Sequence, residues 1–504
     1  MNVMKAAAVF SDNMVLQRNR PVRIFGNCKE GQENITVSIP ELSVSAKALV
    51  TGSKWEALLP PCEACENCTV EIVSGAVKIV FRNVAIGEVW LAGGQSNMEF
   101  ELHNELHGNE ALAECSKENV RFYYTPKCPM NDENLLRSEA ESCWSMPSEQ
   151  NSQAWSAVGY YFAKELSRKL GVTVGIIGCN WGGTSASAWM SREYLGQDSR
   201  IRSYIDEYDE AVKGKTDEQM IAEYDDYSKR QWEWEQRKEK CLTEDPDISW
   251  SDLIKKCGEN LYPGPAGIKN PMRPCGLYET MITRVAPYTL RGFIYYQGES
   301  DDHKPDSYEV LMKALIEQWR SVWKDNELPL LMVQLPMHRY RDDPDFKNWA
   351  MIRQAQMNVF RTVKNTGIAI ALDCGEFNEI HPKEKATVAH RLYLQALSEV
   401  YGLAKQTETL PPLFSYAVAE SDHIRLYFEN CCGFEVHGEI NGFEIAGADG
   451  ELSPAEASID GNTIVLKCDY KAPLTGVRFM WTNYAEVTLY GKNGLPVPTF
   501  KKIF

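Results

Sequence analysis

Over the first 86 residues, apolar and polar positions alternate in short runs. Val22–Phe25, Ile35–Ile39 and Val77–Phe81 are such runs, separated by Gly, Pro, Asn and Lys-Glu-Gly turns. Alternation between turn signals predicts half-buried strands. No stretch of helical period intervenes, so residues 1–86 are expected to form a β-rich module. The pattern changes at Glu88–Ala92, an apolar strand that runs into Gly93–Gly94.

From there to about residue 404, apolar strands alternate with helical stretches, which predicts a parallel α/β sheet. Expected strands are Val89–Ala92, Val172–Gly178, Gly292–Tyr296, Leu328–Gln334 and Gly367–Leu372. Expected helices include Ser156–Leu170, with Tyr160, Tyr161, Ala163 and Leu166 on one face, then Tyr308–Lys324 and Lys385–Tyr401. Residues 195–262 break the rhythm with a charged, aromatic helical insert that includes Asp217–Cys241 and carries Trp232 and Trp234. The insert reads as a solvated excursion whose tryptophans pack on the body, in preference to a lid over a site. After residue 405 short strands return: His423–Phe428, Phe434–Ile440, Thr463–Cys468 and Val477–Trp481. The expected organisation is therefore 1–86, 87–404 and 405–504.

Composition narrows the partners. The chain is 44% hydrophobic and 24% charged, with 53 Lys plus Arg against 70 Asp plus Glu and a net charge of −17. Such a surface repels phosphate backbones and anionic membranes, which excludes nucleic acid as an expected partner. It favours a substrate that is neutral, or whose anionic group meets a local cationic pocket. The apolar stretch Ala6–Phe10 is followed at once by Ser11, Asp12 and Asn13, too short for the apolar core of a secretion signal. No run is long enough to span a bilayer. Fifteen cysteines, an odd and scattered number, fit reduced thiols, and the expected location is cytoplasmic. Cys62, Cys65 and Cys68 stand in C-x2-C-x2-C, but no fourth cysteine follows to complete the ligand run. A solvated turn is expected there, with no metal site.

Candidate chemistry sits at strand ends. Gly93-Gly94-Gln95-Ser96-Asn97-Met98 places a serine on a tight turn directly after a strand. There its hydroxyl is presented at the sheet's carboxyl end and nearby N–H groups can serve an oxyanion. Met98 stands where the G-x-S-x-G elbow would have its second glycine. Asn378-Glu379-Ile380-His381-Pro382 lies beyond the last strand and offers a base. An imidazole base needs a second group to orient it, and Glu379 and Asp373 are the nearby carboxylates. Asn180-Trp181-Gly182-Gly183-Thr184-Ser185 and Tyr295-Tyr296-Gln297-Gly298-Glu299-Ser300-Asp301 follow two further strands. They bring glycines for close backbone approach and an amide donor in Gln297. Nucleophile, base and two donors converging on four strand ends point to acyl transfer.

These blocks resemble the sialate O-acetylesterase-like branch of the SGNH hydrolases, carbohydrate acetylesterases allied to acetylxylan and other plant-polysaccharide esterases. The resemblance extends through Asn270-Pro271, Leu277–Ile282, Arg353–Gln356, Trp481–Tyr484 and Gly494–Pro496. It implies a flavodoxin-like three-layer α/β catalytic domain with accessory β-sandwich modules at both ends, no metal or other cofactor, and deacetylation of sugar hydroxyls. By position Ser96 becomes the nucleophile, the N–H groups of Ser96 and Gly183 with Gln297 the oxyanion hole, and His381 the base. In that family the acid stands three residues before the histidine, where this chain has Asn378. Glu379 is the nearest carboxylate, Asp373 the substitute, and a Ser–His dyad the third option. The implied substrates are acetylated oligosaccharides or O-acetylated sialic acid. Two rivals remain: a glycoside hydrolase using paired carboxylates, for which Glu299, Asp301 and Asp302 are candidates, and a non-catalytic sugar-binding protein.

Overall fold

The computed structural model describes residues 4–32, 34–245, 248, 250–419, 423–447, 450–467 and 474–504. At its centre lie six parallel strands: β1 (Val77–Gly94), β2 (Val120–Tyr124), β3 (Val174–Asn180), β4 (Gly292–Tyr296), β5 (Leu330–Gln334) and β6 (Thr366–Ile370). Their spatial order is β2-β3-β1-β4-β5-β6, every neighbouring pair parallel. β3 to β6 are buried along their whole length, so they read as continuous apolar runs and not as alternating ones.

β1 is 18 residues long and belongs to two neighbourhoods. Its first part pairs antiparallel with Cys65–Ser74. Ala85–Gly87 then pairs parallel with Val15–Gln17, and the last part with β3 and β4. Position 86/87 thus lies inside one strand, and the N-terminal strands continue directly into the parallel sheet. Glu88 locks the join. Fully buried, it accepts from Arg18 Nε and Arg291 Nε, each at 2.7 Å, and from Gln17 Nε2 at 3.0 Å.

The cysteine motif is not the expected solvated turn. Cys65 opens the strand Cys65–Ser74 and Cys68 is fully buried in the core. Asn67, with φ of 56°, lets the strand kink between them. Burial pushes the Cys68 thiol up to about 12.

Helices α1 (Ser96–Glu99), α2 (Ala157–Leu170), α5 (Tyr308–Val322), α6 (Asn348–Thr362) and α7 (Ala386–Gln395) frame the sheet, and α3 (Asp217–Glu244) and α4 (Trp250–Cys257) lie in the insert. α2 packs on α7 and α5 on α6. Ser156 caps α2 through its hydroxyl, and Gly171 ends the helix in the left-handed region. Beyond residue 405 the described residues form two four-stranded antiparallel sheets and a two-stranded one. Phe414 of one sheet stacks on Phe500 of the other at 4.2 Å. Of the strand expected over Thr463–Cys468, Thr463–Lys467 is present and Cys468 lies outside the described residues.

Candidate active site

β1 lies between β3 and β4, so the strand order reverses there, the place where open α/β sheets hold ligands beyond their carboxyl ends. Ser96 heads α1 at that end. The turn before it must be glycine: Gly94 has φ of 136°, and a Cβ on it would stand 2.1 Å from the Tyr296 carbonyl oxygen. That same oxygen accepts Gln95 N at 3.1 Å, fixing the serine turn to the end of β4. On the other side Trp181 N donates to Gly94 O at 3.1 Å. Gly182 then passes so near the serine that a Cβ would sit 3.3 Å from Ser96 Cβ. Gly182 N donates to Glu99 Oε2 at 2.5 Å. Gly183 takes φ of 73°. Among the described residues, the N–H groups of Ser96 and Gly183 meet no protein acceptor.

The loop after β4 is braced by Asp301. Fully buried, its carboxylate accepts Ser185 Oγ at 2.6 Å, Ala186 N at 2.9 Å, Tyr204 OH at 2.7 Å and Gln297 Nε2 at 2.6 Å. This ties the Asn180–Ser185 stretch to the loop after β4. It also changes the reading of Gln297. The Gln297 amide nitrogen donates to Asp301 and, at 3.3 Å, to Thr184 O, while its oxygen accepts Tyr308 OH at 3.0 Å. Both amide hydrogens are committed, so Gln297 braces the loop and presents no free donor to an oxyanion. Glu299 is 6% exposed and Asp301 0%, which leaves neither carboxylate open to a sugar as the glycosidase reading requires.

His381 stands on the loop between β6 and α7, its side chain 41% exposed. Partial burial, reinforced by the ammonium groups of Lys385 and Lys238, lowers its imidazole to about 4, with Glu99 acting in the opposite sense. The ring is therefore neutral, as a base requires, through the whole neutral range. Glu379 Oε1 accepts the backbone N–H of His381 at 2.7 Å but lies 3.8 Å from Nδ1. Asp373 is held in a two-pronged pair with Arg391 at 2.5 and 2.9 Å. Asn378 has φ of 65° and accepts Arg341 N at 3.1 Å, so it turns the loop. His338, 4% exposed, pins the same loop from beneath: its Nδ1 lies 3.1 Å from the Glu379 carbonyl. His338 was invisible to motif reading because nothing around it in the sequence carries chemistry.

Asn97 and Lys385 carry no motif signal either. The Asn97 amide nitrogen donates to Glu299 Oε1 at 2.6 Å and to Ile380 O at 3.0 Å, while its oxygen accepts Lys385 Nζ at 2.7 Å. The neighbour of Ser96 is thus bonded to the neighbour of His381. Serine turn and histidine loop meet.

Residues 264–396 match the family described as carbohydrate esterase, sialic acid-specific acetylesterase. The chain is 25% identical to the sialate O-acetylesterase of Mus musculus, with 98% of this chain and 93% of that protein covered. It is 24% identical to the sialate O-acetylesterase of Rattus norvegicus over the same shares. The crystal structure of a carbohydrate acetylesterase from Xanthomonas citri superposes with a TM-score of 0.77 at 27% identity, covering 99% of both chains. The chain is thus similar to carbohydrate esterases, along nearly its whole length in the relatives and over residues 264–396 in the family match. Its reaction is that of a carboxylic ester hydrolase, removal of O-acetyl groups from carbohydrate.

The 195–262 insert does not pack its tryptophans on the body. Trp234, 1% exposed, is buried against Leu253 and Cys257 of α4, and Trp232 is 64% exposed. α3 and α4 of the insert support each other as a helical pair, while Ile201, Tyr204 and Ile205 of its first helix, Ser199–Ala211, are buried in the main core. The insert also reaches the site, because Tyr262 OH donates to Gly183 O at 3.3 Å.

Proposed function

We propose that this esterase works through an acetyl-serine intermediate, with Ser96 as nucleophile and His381 as base. His381 takes the Ser96 proton as the hydroxyl attacks the acetyl carbonyl, and the N–H groups of Ser96 and Gly183 receive the oxyanion. The protonated imidazole then gives its proton to the departing sugar oxygen, and water activated by His381 releases acetate. The observation that carries this reading is the bond from Asn97 to Ile380 O, which brings the residues flanking Ser96 and His381 together. Glu379 orients the loop through the His381 N–H, so the pair operates as a dyad in which the carboxylate acts on the backbone. Gln297 contributes by holding the glycine stretch in place through Asp301 and Thr184.

The proposed substrates are acetylated oligosaccharides from plant polysaccharide or O-acetylated sialic acid, and the proposed setting is the cytoplasm. The proposed architecture is the flavodoxin-like three-layer domain flanked by β-sandwich modules. Ser96→Ala tests the mechanism. Removing such a nucleophile costs several orders of magnitude in kcat, so aryl acetate hydrolysis should vanish while the melting temperature holds. More than about a tenth of wild-type turnover would assign the nucleophile elsewhere, given how steep that loss is for a true nucleophile. A panel of acetylated xylo- and manno-oligosaccharides beside 9-O-acetylated sialic acid selects the substrate.

A further inference from the structure

Lys385 occupies a Pro-Lys-Glu-Lys run that reads as surface charge, yet it is 1% exposed. Its ammonium lies 4.7 Å from the centre of the Phe100 ring and 2.7 Å from Asn97 Oδ1. A buried lysine is retained only where its charge is answered. Here the partner is one amide, with the carboxylate of Glu299 on the far side of it. An ammonium is a donor only and cannot accept. Lys385 therefore dictates which way the Asn97 amide faces: oxygen toward the lysine, nitrogen toward Glu299 and Ile380.

With the amide so fixed, its two hydrogens are divided between two different strand-end loops. One goes to Glu299 Oε1 at 2.6 Å, on the loop after β4, and the other to Ile380 O at 3.0 Å, on the loop after β6. Asn97 itself follows the nucleophile on α1. Asn97, 1% exposed, is thus the junction of three loops and has no hydrogen left for substrate. Its contact with the histidine loop is at the peptide immediately before His381, so movement of that peptide moves the imidazole.

We propose that Asn97 is a positioning residue for His381, clamping the histidine loop to the serine turn, and that Lys385 sets the orientation of the clamp. This rests on the Ser96–His381 reading above. It goes beyond that reading by assigning the distance between base and nucleophile to a buried amide and a buried ammonium. The clamp acts on the proton-transfer step and leaves the sugar-binding surface alone. Its loss should fall on kcat and spare KM.

The test is a double-mutant cycle with an aryl acetate. Asn97→Leu keeps the volume and removes all three bonds; Asn97→Ser, smaller and able to take in water, is the second variant. In the wild-type background each should lower kcat on the order of 10- to 100-fold, the range of one misplaced catalytic group, with KM within about threefold. In the His381→Ala background the same substitutions should change kcat less than about twofold, because residues acting as a unit are not additive. Lys385→Met should reproduce the Asn97 pattern. Equal penalties in both backgrounds would mean a structural role and overturn the proposal, as would unfolding of both Asn97 variants or kcat above half of wild type. Failure of the underlying reading looks different. A fluorophosphonate probe, located by mass spectrometry on the wild-type protein, would then label a residue other than Ser96 or none.

Discussion

Glu379 Oε1 accepts the backbone N–H of His381 at 2.7 Å and stands 3.8 Å from the ring nitrogen Nδ1. A carboxylate that fixes the imidazole tautomer must bond to the ring, and at 3.8 Å this one does not. Glu379→Gln keeps an amide oxygen for the same N–H, so kcat should fall by less than about tenfold. That is far short of the roughly 10⁴-fold cost of losing a true triad acid. Asp373→Asn should behave differently. It breaks the two-pronged pair with the 6%-exposed Arg391, and removing one partner of a buried pair destabilises. Its signature should be a lowered melting temperature with kcat largely kept in the folded fraction. A collapse of kcat in Asp373→Asn at unchanged stability would restore Asp373 as the acid.

The acid limb of the rate profile follows from His381. Burial and the Lys385 ammonium lower the imidazole to about 4. The active form of a base is unprotonated, so kcat/KM should be flat through neutrality and fall only as pH drops through about 4. An unperturbed histidine would give a limb near 6.5. Lys385→Met removes one of the three influences holding the value down, the others being burial and Lys238, so its limb should move to higher pH. A wild-type limb near 6.5, measured where the protein stays folded, would place the ring in open solvent.

Strand-end chemistry was legible from sequence because apolar runs mark parallel strands and glycines mark the turns after them. β3, β4, β5 and β6 fall within two residues of where the apolar runs put them. β2 was not legible, because Arg121 interrupts Val120–Tyr124. The structure explains the exception: Arg121 is 3% exposed and donates to the carbonyls of Asn13 and Asn83 and to Glu66, all within the first 86 residues. Gln297 misled for a related reason. An amide at a strand end looks like a free donor until Asp301, four residues on, is found to bind it. Lys385 and Asn97 likewise owe their roles to partners remote in sequence, which composition and period do not record.

Glu88 gives a stability prediction at the join of the N-terminal strands and the parallel sheet. Burial raises its carboxyl, but the hydrogen bonds and charge of Arg291 with those of Arg18 and Gln17 outweigh this, and the net shift is downward. A lowered folded-state value means that Glu88 stabilises fully above the ordinary glutamate range. The contribution is lost as pH falls below about 4.3, the unfolded value. Glu88→Gln leaves Arg18 and Arg291 facing a neutral amide and should cost about 3–5 kcal/mol. By contrast Glu456→Gln, in an ion pair with Lys467 whose side chains are 80% and 74% exposed, should leave stability unchanged. Urea melts at pH 7 and pH 4 check both points, and the gap between Glu88→Gln and wild type should narrow at pH 4. A gap that stays constant would mean that the loss comes from packing and not from charge.

Gly183 tests the oxyanion assignment. Its φ of 73° is the left-handed region, and a Cβ there would stand 2.7 Å from Tyr262 OH and 2.8 Å from Met272 Cε. Alanine in that region costs about 1–2 kcal/mol, and both opposing atoms are the far ends of side chains that can swing away. Gly183→Ala should therefore fold with a modest loss of stability while the backbone at 183 shifts. If the Gly183 N–H is one of the two oxyanion donors, the shift should lower kcat for an aryl acetate by tens- to hundreds-fold, approaching the cost of deleting a donor. KM should change little, because a donor aimed at the developing oxyanion binds the ground state weakly. Tyr262→Phe separates the two consequences of the substitution. It removes the bond to the Gly183 carbonyl at 3.3 Å without adding a Cβ, so the N–H keeps its place. Its kcat should stay within a few-fold of wild type, as expected for loss of one partly exposed hydrogen bond. Should Gly183→Ala retain wild-type kcat, the N–H of Gly183 does not face the reacting carbonyl and the second donor lies elsewhere on the serine turn. Should Tyr262→Phe fall as far as Gly183→Ala, the insert itself holds the oxyanion hole in shape.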